Sequence, residues 1–231
     1  MKHDVVYILK NNYSSEELRY SLRSVVENFP YRKIWFYGGK PDGIEPDEYV
    51  EYIQVGKTKW EKVNNTLRLI CQNDEITEDF WLFNDDFFIM KKVTDLEPMY
   101  AGTLESRVKS IQSKRNGRPS RYSIQLRDAS RILKAEGYDT LNYALHVPML
   151  INREKALQTL EKFNNCPMFR SLYGNHHSIG GCQVRDVKIN DPDKEPTGLE
   201  VLLSTQDSSF NDGAVGRYIR EQFAHKCKYE R

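Results

Sequence analysis

Residues 80–90 read Phe-Trp-Leu-Phe-Asn-Asp-Asp-Phe-Phe-Ile-Met, so one amide and two carboxylates stand between two apolar runs. A short apolar run rich in aromatic residues is typical of a buried strand. Such a strand seldom carries two adjacent acids, because an unpaired buried charge is costly or shifts its pKa. Open α/β sheets bind their ligands beyond the carboxyl ends of their strands. We therefore predict that 80–90 is a strand that delivers acids to a functional site.

The two acids need compensation from a divalent metal, a cationic partner or water at the end of the strand. Asn84, Asp85 and Asp86 offer oxygen ligands, which suit a hard cation such as Mg²⁺ or Mn²⁺. Along a strand, Asn84 and Asp86 would share one face and Asp85 would point to the other. We expect one aspartate to bind the metal and the other to position a donor or an acceptor. The alternative is a helix N-cap or turn pair without a ligand.

The elements before this stretch predict an α/β sheet. Apolar runs predict strands at 5–9, 33–37 and 52–55. A capping box of Ser14 with Glu17 begins a helix that Pro30 ends, and apolar spacing over 63–71 predicts a second helix. The order strand–helix–strand–strand–helix–strand predicts a mostly parallel sheet with helices on both faces.

The second half of the chain is less regular. The basic segment 107–121 contains Asn116-Gly117-Arg118-Pro119, which predicts an exposed and mobile loop. Ser120 is predicted to cap a helix that runs to Glu136, and 145–148 is expected to be extended because it precedes and includes a proline. Further elements are predicted as helices at 153–163 and 215–223, a turn or short helix at 169–174, and strands at 184–189 and 201–204.

Composition narrows the class of protein. The 34 Lys and Arg residues nearly balance 33 Asp and Glu residues, so no global field favours nucleic acid or an anionic membrane. No apolar run approaches the roughly 20 residues of a transmembrane helix, and no signal-peptide core is present. The four cysteines are widely spaced without a C-x-x-C pair, which favours reduced thiols. We expect a cytoplasmic protein, in a bacterium or an infected host cell.

Two segments together resemble a known family. They are 17–24, which reads ELRYSLRS and is followed by RKIWFY at 32–37, and 83–88, which reads FNDDFF. The pair is similar to the second conserved region of the Stealth family. That family includes bacterial capsular-polysaccharide phosphotransferases and the N-acetylglucosamine-1-phosphotransferase of lysosomal enzymes. His-Val-Pro at 146–148 and Phe-Arg-Ser at 169–171 resemble later family regions in the same order.

Three further positions extend or limit the resemblance. Gln206-Asp207, with Asn211-Asp212 as its rival, resembles a final Asn-Asp pair, and Asn64-Asn65 resembles a helix start that precedes the acidic strand. The first family region, a Trp-Val-Asp-Gly-like signature, is missing, and Lys10-Asn11-Asn12 stands in its place. The chain looks more like the compact glycosyltransferase-type relatives of phage and bacterial genomes.

The resemblance implies a GT-A-like (Rossmann-like) fold, a nucleotide-sugar donor and a divalent metal, Mg²⁺ or Mn²⁺. It implies a single catalytic domain over 1–231, with a nucleotide-sugar-binding α/β half at 1–95 and an acceptor half at 96–231. Pattern and resemblance together give catalytic roles to Asp86, His146 and Arg170, donor contacts to Asn11, Arg19, Arg23, Asn64, Asn65 and Asn84, and metal ligation to Asp85, Asp86 and Asp207.

Each of these roles has a plainer alternative. His146 is a general-base candidate because the ordinary pKa of histidine lies near neutral pH, and the alternative is a hydrogen-bonded structural histidine. Arg170 is a candidate phosphate clamp, and the alternative is a surface ion pair. Ordinary turn or helix-surface roles are the alternatives for Asn11, Asn12, Arg19, Arg23 and Asp207.

The sequence supports an enzyme before a binding module. The resemblance favours transfer of glycosyl-1-phosphate from a donor such as a UDP-sugar, with release of UMP. Plain glycosyl transfer with release of UDP is the close alternative. The second class, a non-catalytic carbohydrate-binding or nucleic-acid-binding module, would bind no nucleotide sugar in a metal-dependent way. The acceptor is open between a polysaccharide, a protein, a lipid carrier and a modified nucleic-acid base.

Overall fold

The computed structural model describes residues 2–11, 16–164 and 166–231. The described strands are β1 (His3–Leu9), β2 (Tyr31–Gly38), β3 (Glu48–Glu51), β4 (Asp79–Phe83), β5 (Phe87–Ile89), β6 (Met99–Tyr100), β7 (Met149–Asn152), β8 (Cys182–Gln183), β9 (Lys188–Ile189) and β10 (Leu202–Thr205). The described helices are α1 (Glu17–Asn28), α2 (Lys59–Gln72), α3 (Leu104–Ser113), α4 (Arg121–Ala135), α5 (Arg153–Lys162), α6 (Phe169–His176), α7 (Asp207–Asn211) and α8 (Ala214–Gln222). Strands from both halves of the chain enter the two larger sheets.

The main sheet has five strands in the order β3-β2-β1-β4-β7. The first four run parallel, and β7 pairs antiparallel with β4. A second sheet joins β5, β10 and β9, and β6 pairs with β8. The prediction of a mostly parallel α/β sheet is therefore confirmed.

Helices cover both faces of the main sheet, as predicted. On one face, Val5 and Tyr7 of β1 share a buried cluster with Leu22 of α1. On the other face, Val6 of β1 shares a cluster with Leu67 of α2 and Ala156 of α5. Successive residues of a strand point to opposite faces, so a strand covered on both sides is apolar throughout. This is why the apolar runs located β1 and β2 so directly.

The prediction that 80–90 is one strand is wrong. β4 ends at Phe83, the chain turns through Asn84-Asp85-Asp86, and β5 begins at Phe87 and pairs with β10 in the second sheet. The Phe87 amide donates to the Asn84 carbonyl across this turn at 3.3 Å. Strand alternation therefore does not orient the two acids. Their polarity is what ends β4, because a turn leaves carboxylates open to water or ligand.

The edge strand and the basic segment also differ from prediction. The strand expected at 52–55 lies at Glu48–Glu51, an edge strand in which half-buried and exposed residues alternate and which has no long apolar run. The loop expected at 107–121 is helical up to Ser113. Leu104 and Val108 of α3 pack against Leu126 of α4, which holds this basic sequence in a helix.

The remaining elements follow the predictions with shifted ends. Ser120 caps α4, and α5, α6 and α8 lie where helices were expected. The extended segment 145–148 bends and leads into β7, which was missed. The strand expected at 184–189 is reduced to β9 at its end, and the short strand β8 lies just before it. Ser14 and Asn12 lie outside the described residues. No described helix is long and apolar enough to cross a membrane.

Candidate functional site: a cationic cleft at the strand ends

A cleft of about 870 Å³ opens at the carboxyl ends of β1 and β4 and is called the cleft below. From β1 the sheet continues to β2 on one side and to β4 on the other, so the strand order reverses at this point. Ligands of open α/β sheets bind where the order reverses. The first turns of α2, α4 and α6 complete the walls. Each contributes the positive end of its helix dipole to the same space.

The charge of the cleft is strongly positive. Its cationic lining residues are Lys10, Lys57, Lys59, Lys62, Arg121 and Arg170. The carboxylate among the described lining residues is that of Asp85. Aromatic rings come from Trp60, Tyr122 and Phe169. Cations with aromatic faces suit a ligand that carries both phosphate and a flat or apolar group.

The start of α2 is built to hold its lysines in place. The Thr58 side chain accepts the Glu61 amide at 3.2 Å, and the Glu61 carboxylate accepts the Lys57 and Thr58 amides at 2.6 and 3.3 Å. This is a capping box, which fixes the first turn of a helix. Gly56 has φ +148°, and a Cβ there would lie 2.8 Å from the Lys62 nitrogen, so only glycine fits this approach.

The two neighbouring aspartates have different surroundings. Asp85 lines the cleft, as does Asn84. The Asp86 Oδ2 atom accepts from Lys188 Nζ at 3.0 Å and from Ser204 Oγ at 3.1 Å. Its Oδ1 atom is buried and makes no hydrogen bond to a described residue. Asp86 is thus tied to the second sheet, whereas Asp85 faces the cavity.

Arg170 joins the cleft to the segment that carries His146. Its Nη1 atom donates to the Leu145 and Val147 carbonyls at 3.1 and 2.5 Å, so the two residues beside His146 are fixed from one side. Burial lowers the pKa of Arg170 to about 10, although Asp86 and Asp186 act to raise it. The guanidinium therefore stays charged at neutral pH and adds a positive potential to the cleft wall.

His146 has a carboxylate partner that the sequence did not indicate. Its Nδ1 atom lies 2.9 and 3.1 Å from the two oxygens of Asp186, and its backbone amide donates to the same carboxylate at 3.2 Å. Burial acts to raise the pKa of Asp186, but the hydrogen bonds from His146 outweigh it and hold that pKa below its ordinary value. Arg170 lines the cleft and donates to the carbonyls on either side of His146, which places the pair beside the cleft.

The structure places the other predicted donor contacts differently. Asn64 lines the cleft, and its amide donates to the Cys166 carbonyl at 3.2 Å. Asn65 donates to the Val55 carbonyl, and Asn11 donates to the Tyr52 carbonyl, so both brace loops at the rim. Neither is among the described residues that line the cleft.

Arg19, Arg23 and Asp207 lie apart from the described lining of the cleft. Arg23 forms a bidentate ion pair with Glu230 at 2.6 and 2.7 Å, and Arg19 donates to the Asp42 carbonyl at 2.7 Å. Asp207 is exposed in the first turn of α7. The two arginines hold α1 against neighbouring loops and the chain end, a role that buries their charge in pairs.

The side chains at the cleft do not by themselves make a complete metal site. No three His, Cys, Asp or Glu side chains in the described part of the chain are grouped so that they hold an ion. Mg²⁺ is commonly held by one or two carboxylates together with substrate phosphates and water. The oxygens of Asp85 and Asn84 at the cleft fit a metal that is shared with a phosphate-bearing ligand. The metal stays a prediction.

Sequence inspection missed the lysines of the α2 start and the Asp186-Lys188 segment. Lys57, Lys59 and Lys62 are common surface residues, and only the capping signal of Thr58 with Glu61 marked the helix start on which they lie. Asp186 is 40 residues from His146 along the chain, so no local pattern links them. Contacts between residues so far apart in the sequence can be read only from the folded structure.

Comparison with known proteins supports the fold class. No protein-family model matches the chain, and no curated protein matches it. Among solved structures, the chain is similar to galactosyltransferase LgtC in complex with donor and acceptor sugar analogues, with a TM-score of 0.52 and 12% identity over 97% of this chain and 96% of that one. It is also similar to glycosyltransferase GlyE of Streptococcus pneumoniae TIGR4, with a TM-score of 0.48 and 14% identity over 97% of this chain and 62% of that one.

The likeness to LgtC confirms the predicted fold class, a GT-A-like glycosyltransferase fold. At 12% identity it shows the fold and leaves the reaction to be argued from the site. The resemblance to the Stealth family stays a prediction, as do the roles of the individual site residues.

Proposed function

We propose that this protein is a metal-dependent transferase that moves a sugar from a nucleotide diphosphate donor to an acceptor hydroxyl. The observation that carries the proposal is the charge of the cleft, where six cations accompany one carboxylate among the described lining residues. A diphosphate brings the negative charge that such a cleft would bind. The glycosyltransferase fold supports sugar transfer as the reaction.

The start of α2 would bind the diphosphate. Lys59 and Lys62 lie on that first turn, where their charges add to the helix dipole. Trp60 and Tyr122 offer ring faces for the base or the sugar of the donor. Lysine contacts that strengthen as negative charge develops on the leaving diphosphate lower the barrier to transfer.

Asp85 and Asn84 would hold the metal together with the donor phosphates. When bound, the metal supplies Lewis-acid stabilisation of the leaving phosphate. Asp85 provides the anionic ligand at this corner, and Asn84 provides a neutral oxygen beside it. Arg170 adds positive charge from behind the turn, and His146 would accept the proton of the acceptor hydroxyl.

The bond that breaks defines two forms of the reaction. Attack on the anomeric carbon transfers the sugar and releases a nucleoside diphosphate. Attack on the β-phosphorus transfers sugar phosphate and releases a nucleoside monophosphate. The likeness to LgtC favours the first, and the motif resemblance favours the second. The released nucleotide, identified by chromatography, decides between them.

A panel of UDP-, GDP- and CDP-sugars with and without Mn²⁺ tests the proposal by thermal shift. A donor at about 100 times its dissociation constant stabilises the fold by roughly 2.7 kcal/mol. We expect such stabilisation for one nucleotide class, and only with the metal. If no nucleotide sugar shifts the transition under either condition, the proposal is wrong.

The two aspartates of the turn should separate in this assay. Asp85→Asn is expected to lose Mn²⁺-dependent donor binding and turnover, because Asp85 lines the cleft. Asp86→Asn is the matched control and is expected to lower the unfolding temperature, because it leaves Lys188 without its anion. Full activity in Asp85→Asn would remove this aspartate from the site.

A further inference from the structure

The His146–Asp186 pair is held more firmly than a surface ion pair requires. The carboxylate binds both the ring and the backbone amide of His146, at 2.9 to 3.2 Å. The side chains are 34% and 24% exposed. Arg170 fixes the carbonyls on either side of His146. Both the ring and the main chain of His146 are therefore oriented by charged neighbours.

This geometry selects one tautomer of the imidazole. A carboxylate accepts hydrogen bonds, so the Nδ1 atom of His146 carries a proton and donates it to Asp186. The lone pair then resides on Nε2, which makes no hydrogen bond to a described residue. A histidine arranged in this way can accept a proton at Nε2, and the carboxylate stabilises the imidazolium that forms.

The segment that carries Asp186 also contacts the turn Asn84-Asp85-Asp86. Lys188, two residues further, binds Asp86 at 3.0 Å, next to Asp85. Arg170 of α6 is the cation whose charge interacts with Asp186 among the described contacts of the pair. One short segment thus fixes both the histidine and the acidic turn relative to the cleft.

We infer that Asp186 is the positioning residue that holds His146 as the base for the acceptor hydroxyl. The inference rests on the proposed function. The hydroxyl proton moves to Nε2, the hydroxyl oxygen forms a bond to the anomeric carbon or the β-phosphorus of the donor, and the nucleotide leaves with the electron pair of the broken bond. Asp186 itself keeps its charge throughout.

Hydrolysis of the best-stabilising nucleotide sugar, with water as acceptor, tests the inference in the full-length protein. Asp186→Asn is expected to lower kcat about 100-fold or more, within the range of general base catalysis, with little change in KM for the donor. Asp186→Glu should restore part of the rate. Asp74→Asn, an exposed aspartate in another loop, is the matched control.

Wild-type turnover in Asp186→Asn, or a loss that appears only in KM, would overturn the inference. Nitrogen-15 NMR of the ring gives a second readout that needs no substrate. The chain has five histidines, so His146→Gln assigns the signal. We expect the Nδ1–H tautomer in the wild type and a change of tautomer population in Asp186→Asn. An Nε2–H tautomer in the wild type would contradict the inference whatever the transfer assay shows. If the wild type has the Nδ1–H tautomer but binds no nucleotide sugar, the proposed function alone is overturned.

Discussion

The two ends of the main sheet use charge in opposite ways. At the amino end, Asp4 is fully buried, and its carboxylate accepts two bonds from Arg32 at 2.6 and 2.7 Å and one from the Trp35 ring nitrogen at 3.1 Å. Backbone amides of Lys33 and Thr77 complete the set. At the carboxyl end, no cation of the cleft makes an ion pair with a described residue, and Arg170 donates to backbone carbonyls.

The difference separates stability from binding. A saturated buried charge stabilises the fold only as a complete set, and it has no capacity left for a ligand. Cations gathered in one cleft repel one another and cost stability, and a bound anion relieves that cost. We therefore expect substitutions at the amino end to change unfolding and those at the carboxyl end to change ligand binding.

The largest expected effect is at the amino end. Asp4→Ala should reduce the free energy of unfolding by about 3–5 kcal/mol, because it leaves the Trp35 ring nitrogen and the Lys33 and Thr77 amides without an acceptor and removes the anion that Arg32 binds. Urea unfolding followed by circular dichroism measures this. Glu48→Ala removes a carboxylate from a half-exposed pair with Lys33 and is the control, with an expected loss below about 1 kcal/mol. Equal losses in the two variants would contradict the saturated role of Asp4.

A smaller effect is expected at the cleft. Replacing Lys59 and Lys62 together with Gln should weaken UDP binding by about 2 kcal/mol, or roughly 30-fold, if each phosphate contact is worth about 1 kcal/mol. The free energy of unfolding should stay the same or rise, because like charges are removed. Titration calorimetry with UDP and Mn²⁺ measures the affinity.

Lys194→Gln is the control for that double variant, because Lys194 is exposed in a loop that is not part of the cleft. Its UDP affinity should match the wild type. If the double variant also binds UDP as the wild type does, the charge of the cleft does not serve the donor.

The same contrast explains what the sequence could predict. The apolar runs of β1, β2 and β4 gave the parallel sheet, because strands covered on both faces must be apolar throughout. The acids of Asn84-Asp85-Asp86 mark the carboxyl edge of the sheet, although the apolar residues on both sides predict a strand where the chain turns. Buried periodicity is thus a local property that a sequence displays directly.

The cleft itself depended on distant contacts. Lys59 reaches the site because α2 begins beside the end of β1, and Asp186 reaches His146 across 40 residues. Arg23 was predicted as a donor contact, yet it pairs with Glu230, which is 207 residues away. Charged residues have no period that reveals their partners, so their roles followed only from the folded chain.

The smallest expected effect comes from the N-terminal caps of two helices, only one of which begins at the cleft. Thr58 caps α2 at the cleft, and Thr103 caps α3 with the same type of capping box. Each substitution by Ala should cost about 1 kcal/mol of unfolding free energy, because one amide loses its acceptor. Only Thr58→Ala should also weaken UDP binding, since the first turn of α2 carries Lys59 and Lys62. If Thr103→Ala weakens UDP binding to the same degree, the effect reports general loosening of the fold, and the start of α2 has no special part in holding the ligand.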